Sequence, residues 1–307
     1  MKVAVIMNAR AGSIGAAHAE ERARSIREAF AAAGVESVIH ACPGPELTPT
    51  ARKAAASGVD AVVAAGGDGT VSAVASALVG GDVPLAVLPL GTLNHFARDL
   101  GMPDDLAEAT RAIADGDRGR VDVGQVNGRT FVNNSSIGLY PLVVQARDAE
   151  QRATGHSKYR AMLTAAWRVL RRFPLVTVHV TSDAGVVLTR APFVFVGNNA
   201  YEVSPLALGQ RRALDRGHLS LYTMRCHSRL KLFWLTLRAI FQRLDQVEDL
   251  VTHDAGEISI DLPKRRVPVA LDGEVVTMSS PLRYSVRAGE LLVVRPRAAE
   301  TAGEAAA

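Results

Sequence analysis

The chain has 307 residues, 48% hydrophobic and 21% charged, which is typical of a folded globular protein of about two domains. The net charge of +4 is a weak basic bias without a dense Lys/Arg patch interleaved with aromatic residues, so we expect no nucleic-acid partner. Cys42 and Cys226 have no zinc or disulfide spacing, and no apolar run reaches the ~20 residues of a spanning helix, so the sequence predicts a cytoplasmic protein.

The first third of the chain alternates predicted strands with predicted helices. Apolar runs predict four strands, at 2–7, 35–40, 60–65 and 84–90. The segments between and after them predict helices or helical turns, at 16–33, 47–57, 70–79, 94–100 and 104–114. This alternation indicates βαβ units, so we expect an α/β nucleotide-binding domain with a parallel sheet over residues 1–122.

Beyond about residue 120, short predicted strands dominate. They lie at 121–126, 130–137, 175–182, 185–191, 193–198, 219–224, 257–261 and 267–273. The Asn127-Gly128 pair is a strong hairpin signal. We expect a mostly β, sandwich-like domain over 123–286, and a last strand at about 287–296 that is a candidate to return to the first domain. Residues 297–307 have no core residues and are expected to be disordered, and we expect a ligand cleft between the two domains.

The stretch GGDGT, residues 66–70, lies between a predicted strand and a predicted helix. In open α/β sheets, ligands bind at the carboxyl ends of the strands. Glycines there let backbone N–H groups approach an anion, and the N-terminus of the following helix favours negative charge. Asp68 would repel a phosphate unless a divalent cation lay between them, so we interpret the loop as a site for a metal-bound polyphosphate. A simple capped glycine turn is the alternative.

Other glycine motifs are absent from the sequence. No Walker-type loop occurs, and no G-x-G-x-x-G follows a strand, which argues against a dinucleotide oxidoreductase. A second loop, residues 88–103, follows the fourth predicted strand and offers Gly91 and Thr92 as backbone and hydroxyl donors. It is either a second phosphate-binding loop or an ordinary turn into a helix.

The two loops together, GGDGT and LPLGTLNHFARDLG, closely resemble the bacterial diacylglycerol kinase and sphingosine kinase superfamily. MNARAG at 7–12 resembles the nucleotide loop of that family, and later segments match it in order, at 121–138, 193–203, 214–222 and 270–276. The resemblance implies a lipid kinase that uses ATP and Mg²⁺ and has a diacylglycerol-like acceptor.

The resemblance also implies roles for individual residues. The nucleotide would be held by Asn8, Arg10, Gly12, His40, Gly66, Gly67, Asp68, Gly69, Thr70, Val71, Ser72, Gly91, Thr92 and Asn94. Asp68 would face the metal, and Glu274 would accept the proton of the acceptor hydroxyl. A second, structural magnesium would bind at Asp215, His218 and Ser220, for which a plain turn is an equal alternative.

Two carboxylates flank Gly273 in the segment LDGE. Asp272 and Glu274 are two residues apart, so on an extended strand they would share one face and suit a base with a partner that adjusts its pKa or holds metal. A turn with solvated acids is the alternative. Asp122 is a further catalytic candidate, with a strand-end turn as its alternative.

Several residues depart from the pattern of the family. Ser72 and Ala73 stand where Asn and Glu are common, and His95 where an aspartate is common. His40 replaces a frequent Thr, and Ala9 a frequent Pro. Other interpretations therefore stay open: a sphingoid or ceramide kinase, an NAD kinase, or a nucleotide-binding regulator without catalysis.

Two predicted amphipathic helices, at 157–172 and 225–244, carry arginines beside an apolar stripe. Such helices pack against a core or lie in a membrane interface. A kinase for a membrane lipid must meet the bilayer, so we expect transient contact with the inner face of the membrane at these helices. A homodimer is left open.

Overall fold

A computed structural model describes residues 1–9, 16–138, 141, 176–182, 185–191, 193–202, 210–211, 213–224 and 250–297. Arg10, Gly12, the helices expected at 157–172 and 225–244, and the tail beyond residue 297 lie outside the described residues. The chain divides into two compact units. The first comprises Met1–Val121 and Glu290–Ala307, and the second comprises Asp122–Gly289.

The first unit contains a parallel sheet with helices. In chain order its elements are β1 (Lys2–Asn8), α1 (Ala16–Ala32), β2 (Glu36–Cys42), α2 (Leu47–Ala55), β3 (Ala61–Gly66), α3 (Asp68–Leu78), β4 (Leu85–Pro89), α4 (His95–Asp99) and α5 (Leu106–Asp115). The strand order is β2-β1-β3-β4. Every residue of β3 and β4 is buried, as expected for parallel strands that are covered on both faces.

Two long strands contribute residues to both units. They are β5 (Asp117–Val126) and β16 (Leu282–Arg295). In the first unit, the end of β16 pairs in parallel with β4, with Val293 opposite Leu85. The start of β16 pairs with an antiparallel strand of the second unit, with Tyr284 opposite Ile258.

The second unit is built from antiparallel strands. They are β6 (Arg129–Phe131), β7 (Asn134–Gly138), β8 (Val176–Ser182), β9 (Gly185–Ala191), β10 (Phe193–Asn198), β11 (Leu219–Met224), β12 (Leu250–Ala255), β13 (Glu257–Asp261), β14 (Arg266–Leu271) and β15 (Glu274–Ser279). Six of them form a sheet in the order β12-β11-β10-β7-β14-β15. Alternate residues of this sheet and of β8, β13 and β16 bury a common apolar core.

The expected fold class is confirmed: an α/β domain with a parallel sheet and a mostly β, sandwich-like domain. The hairpin expected at Asn127-Gly128 is present, with φ of 46° and 81° at the two residues. Within the described part of the chain, no helix combines the length and the apolar character needed to cross a bilayer.

Candidate functional site

The GGDGT loop joins β3 to α3 in a tight turn. β3 ends at Gly66, and Gly67 is the N-cap of α3 with extended backbone (φ −91°, ψ −174°). The N–H groups of Thr70 and Val71 donate to the Gly67 carbonyl at 2.9 and 3.1 Å. A Cβ on Gly66 would lie 2.5 Å from Thr70 Oγ1, so the loop has no room for a side chain there. The turn therefore places the N-terminus of α3 at the carboxyl edge of the sheet.

The second loop contacts the first through its backbone. The Leu90 N–H donates to the Gly66 carbonyl at 3.1 Å. A Cβ on Gly91 would lie only 2.4 Å from the Gly67 Cα, and a Cβ on Gly67 would lie 3.3 Å from the Gly91 Cα. The two glycines thus let the loops approach each other closely, and the structure brings both predicted phosphate loops together within the first unit.

Asn94 fixes the shape of the second loop. It is 7% exposed and adopts a left-handed conformation with φ of 51°. Its Oδ1 accepts from the Gly91 N–H at 2.9 Å, and its Nδ2 donates to the Gly91 carbonyl at 3.1 Å. Gly91 and Thr92 remain exposed. The observed role of Asn94 is to hold the loop, and its contact with a nucleotide stays a prediction.

Asp68 lies in the first turn of α3 and is half-buried. Its Oδ1 accepts from the Phe96 N–H at 3.3 Å, which links the first loop to α4. Among the described residues, no group of three or more His, Cys, Asp or Glu is arranged to hold a metal. A nucleotide-borne Mg²⁺ needs only one or two protein carboxylates, because phosphates and waters supply its other ligands. The single carboxylate of Asp68 fits that requirement.

The remaining candidates of the first unit lie along the same sheet. Asn8 ends β1, and Met7 is paired with Ala65 of β3, so Asn8 is level with Gly66 at the carboxyl edge. His40 pairs with Ile6, two residues before that edge, and is half-buried. In α3, Gly69 and Ser72 are half-buried, and Val71 is buried.

Asp272 and Glu274 do not lie along one extended strand, so the expectation that they share a strand face is wrong. Asp272 and Gly273 form the turn between β14 and β15, with φ of 46° and 88°. Asp272 is 7% exposed, whereas Glu274 is exposed at the first position of β15. The turn separates the environments of the two carboxylates, so any role of Asp272 in the chemistry stays a prediction.

The Asp272 carboxylate binds the backbone between β6 and β7. Its Oδ2 accepts from the Val132 N–H at 2.9 Å, and its Oδ1 accepts from the N–H groups of Asn133 and Asn134 at 2.8 and 3.0 Å. These bonds explain why the single strand expected at 130–137 is observed as two. They also anchor the turn that carries Glu274.

Asp122 organises a second polar cluster. It is 2% exposed, and its Oδ2 accepts from the Gly217 N–H at 2.6 Å and from Asn199 Nδ2 at 3.2 Å. Its Oδ1 accepts from the Gly289 N–H at 2.9 Å. Asp122 therefore stabilises the segment that precedes β11, and its expected role in catalysis stays a prediction.

The three residues expected to bind a structural magnesium at 215–220 lie in different environments. The Asp215 side chain is exposed. The His218 carbonyl accepts from the Asn199 N–H at 3.1 Å. The Ser220 hydroxyl donates to Asp254 Oδ1 at 2.6 Å, and Ser220 lies within β11 between two paired strands. Metal binding here stays a prediction.

Arg211 is a buried positioning residue that the sequence motifs did not indicate. It is 5% exposed, and its Nη1 donates to the carbonyls of Val132 and Asn198 at 2.7 and 2.9 Å. Its Nη2 donates to Asn133 Oδ1 at 2.8 Å. Arg211 thus holds the same segment as Asp272. No periodicity or motif distinguishes such an arginine from a solvated one in the sequence.

The first part of the chain is similar to a family of known proteins. Residues 2–126 match the family model described as the diacylglycerol kinase catalytic domain. The diacylglycerol kinase of Bacillus subtilis strain 168 is 41% identical over 118 residues, which are 37% of this chain and 39% of that protein. The lipid kinase YegS of Escherichia coli K12 is 44% identical over 87 residues, 27% of this chain and 29% of that protein. The matches thus span less than half of these relatives.

Solved structures extend the similarity to the whole chain. A Bacillus anthracis str. Sterne protein provisionally named a diacylglycerol kinase is 27% identical, with a TM-score of 0.73 over 97% of this chain and 98% of its own. A diacylglycerol kinase from the same strain is 23% identical, with a TM-score of 0.67 over 97% of each chain, and this likeness concerns the fold alone. The resemblance to the diacylglycerol kinase family is thereby confirmed.

Proposed function

We propose that this protein is a lipid kinase that transfers the γ-phosphate of ATP, in the presence of Mg²⁺, to a hydroxyl of a diacylglycerol-like lipid. The observation that carries the proposal is the backbone contact between the GGDGT loop and the Gly91 loop at the carboxyl edge of β3 and β4. This contact lies within residues 2–126, which match the family model described as the diacylglycerol kinase catalytic domain. Relatives named diacylglycerol kinase and lipid kinase support the class of acceptor.

The nucleotide side of the reaction depends on the two loops. The N–H groups of the GGDGT loop other than those of Thr70 and Val71, and the exposed backbone and hydroxyl of Thr92, would bind phosphate oxygens. Thr70 and Val71 donate to the Gly67 carbonyl and Gly91 donates to Asn94, so their N–H groups hold the loops instead. Asp68 would hold Mg²⁺ directly or through water, and that ion supplies charge neutralisation on the phosphates when bound. Asn94 and the Gly67–Gly91 contact would fix the two loops relative to each other. The phosphates would then be held in one orientation for transfer.

The acceptor side depends on Glu274. An exposed carboxylate at the start of β15 would take the proton of the lipid hydroxyl as it attacks phosphorus. Asp272 would then act as a positioning residue, because its three bonds to backbone N–H groups fix the turn that precedes Glu274.

The test of the proposal is a transfer assay with labelled ATP. The acceptors are diacylglycerol, ceramide, sphingosine and NAD, each with and without Mg²⁺. The proposal predicts Mg²⁺-dependent labelling that is strongest for diacylglycerol. Preferred labelling of ceramide or sphingosine would identify a sphingoid kinase, and labelling of NAD alone would identify an NAD kinase. ATP binding without transfer to any acceptor would identify a regulator, and each of these results would refute the proposal.

A matched pair of substitutions tests the base. Glu274→Gln is expected to lower turnover by about 100-fold or more while leaving ATP affinity unchanged, since general-base groups contribute about 10²–10⁴-fold. The control is Glu257→Gln, at another exposed strand-start glutamate of the second unit, which is expected to keep full activity. Wild-type turnover in Glu274→Gln would show that another group accepts the proton.

We further propose that the protein contacts the inner face of the membrane peripherally, because its acceptor is a membrane lipid. Flotation with anionic lipid vesicles would detect this contact, and recovery of all the protein in the lipid-free fraction would contradict it. Light scattering on the same sample would distinguish a monomer from a homodimer.

A further inference from the structure

Two buried side chains of opposite charge bind the same short segment of the second unit. Asp272 is 7% exposed, and Arg211 is 5% exposed. Both contact residues 132–134, which we name the bridging segment. The Asp272 carboxylate accepts from its three backbone N–H groups, and the Arg211 guanidinium donates to a carbonyl and a side-chain oxygen of the same segment. A buried charge is costly unless hydrogen bonds compensate it, and both charges obtain such bonds from this segment.

One peptide group of the bridging segment contacts both charges. A peptide bond is planar, so the Val132 carbonyl and the Asn133 N–H form one rigid unit. The carbonyl oxygen accepts from Arg211 Nη1 at 2.7 Å, and the N–H donates to Asp272 Oδ1 at 2.8 Å. The negative end of the peptide dipole therefore faces the guanidinium, and the positive end faces the carboxylate. In a buried site, hydrogen bonds connected in this way polarise and strengthen one another.

The Arg211 guanidinium is itself held in one orientation. Its Nη1 donates a second bond to the Asn198 carbonyl at 2.9 Å, and its Nη2 donates to Asn133 Oδ1 at 2.8 Å. The centroid of the Tyr201 ring lies 5.4 Å from the guanidinium carbon, a distance at which an aromatic ring attracts a cation. The planar fork of an arginine can make these bonds together, whereas a lysine carries the same charge without the fork.

The turn that Asp272 anchors ends at Glu274. Asp272 and Gly273 are the two turn residues, and Leu271 pairs with Glu274 across the turn. The Asp272 N–H donates to the Asn134 carbonyl at 2.9 Å, so the turn is bound to the bridging segment through both its backbone and its carboxylate. A shift of the bridging segment would therefore move the turn, and Glu274 with it.

We propose that Arg211 is a positioning residue for Glu274 and acts on it through the bridging segment and Asp272. This inference rests on the proposed lipid kinase function, in which Glu274 accepts the proton of the acceptor hydroxyl. Arg211 takes no part in the proton transfer. It fixes the peptide group that Asp272 binds, and thereby the place of the carboxylate that follows the turn.

Arg211→Lys tests this role, because it keeps the charge and removes the fork. A displacement of about 1 Å in an active site lowers the rate by about 100-fold, so we expect kcat to fall by about 10–100-fold with the KM for ATP unchanged. The control is Tyr284→Phe, which removes the buried contact with Ser135 in the same unit and should keep the wild-type kcat. Wild-type kcat in Arg211→Lys, or an equal loss in both variants, would overturn the inference.

A double variant separates positioning of the base from a general structural effect. Once Glu274→Gln has removed the base, its exact placement no longer affects the rate. Adding Arg211→Lys to Glu274→Gln is therefore expected to change the residual kcat by less than about twofold, since residues that act as a unit are not additive. A further fall of about tenfold or more would show that Arg211 acts by another route, and would refute the proposed positioning role.

Amide hydrogen exchange tests the link between Arg211 and the bridging segment without any activity. If the wild-type protein phosphorylates no lipid, the proposed function fails, but this link can still be measured. Arg211→Lys should accelerate exchange at the three N–H groups that Asp272 binds by about tenfold, the value of one hydrogen bond, relative to Val194 and Val196 in the same unit. Unchanged exchange at the three groups, or equal acceleration at all five, would refute the link.

Discussion

Gly91→Ala tests whether the contact between the two loops matters for nucleotide binding. The new Cβ would lie 2.4 Å from the Gly67 Cα, 3.1 Å from the Gly67 nitrogen and 2.6 Å from Asn94 Oδ1. Carbon atoms prefer separations of about 3.5–4.0 Å, so the loops must move apart by about 1 Å. Two of the three atoms belong to backbone, so a change of rotamer cannot relieve the clash.

The cost of this movement has two parts. Overpacking typically lowers the free energy of unfolding by about 1–3 kcal/mol. A displacement of about 1 Å at a positioning loop lowers catalytic efficiency by about 100-fold. We therefore expect Gly91→Ala to bind ATP at least tenfold more weakly by isothermal titration calorimetry, and to lose most of its turnover.

Two further glycine variants are expected to have smaller effects than Gly91→Ala. Gly67→Ala meets the Gly91 Cα at 3.3 Å, so its effect on the free energy of unfolding should be smaller. Gly119→Ala, a control in β5 of the same unit, meets only the Arg295 side chain at 3.7–3.8 Å and should be neutral. If Gly91→Ala matched Gly119→Ala in both stability and ATP affinity, the reasoning from the close approach of the loops would be wrong.

Three further predictions concern buried polar groups. Asp272→Asn places an amide donor among three backbone N–H donors and should lower the free energy of unfolding by about 1.5–3 kcal/mol in urea titrations; an unchanged midpoint would refute the anchoring role. Asn94→Ala should be less stable than Asn94→Gly by about 1 kcal/mol, since only glycine tolerates φ of 51° without strain; the reverse order would contradict the left-handed assignment. Burial raises the pKa of the Tyr284 phenol above its ordinary value, so only the unfolded chain loses this proton as the pH rises above about 10. The contribution of this phenol to the free energy of unfolding should then fall by about 1.4 kcal/mol in total between pH 9 and 11, and this fall should be absent in Tyr284→Phe; equal slopes of the two proteins in chemical denaturation at pH 9–11 would count against the burial of this phenol.

The elements of the first unit were predictable because their signals are local. The apolar run at 60–65 and the glycines after it predict a strand, a turn and a helix, and the structure has β3 (Ala61–Gly66) and α3 (Asp68–Leu78) there. The helix begins earlier than the periodicity predicts, at Asp68, because an acidic residue is favourable in a first turn. The strand order, in contrast, depends on contacts between distant segments that no local pattern carries.

The second unit shows where local signals fail. The sequence at 130–137 predicts one strand. The strand is interrupted in its middle because Asp272, distant in sequence, accepts hydrogen bonds from three backbone N–H groups there. β12 (Leu250–Ala255) was not predicted. The strand expected at 287–296 begins earlier, at Leu282, because its first residues pair with β13.

Candidate residues were predicted more reliably than their partners. The glycines of both loops could be chosen from the motifs, and the structure places them in contact. The spacing of Asp272 and Glu274 suggested a shared face, but a two-residue turn with positive φ separates them. The contact between Ser135 Oγ and Tyr284 Oη has no sequence signal, because Ser136 beside it is chemically identical and differs only in the face it occupies.

The most direct test of the account is a crystal structure with Mg²⁺ and a non-hydrolysable ATP analogue. The account predicts the phosphates at the GGDGT loop and the N-terminus of α3, with the metal next to Asp68 and the Gly91 loop against the same phosphates. A nucleotide bound elsewhere, with the GGDGT loop touching no phosphate, would contradict the account.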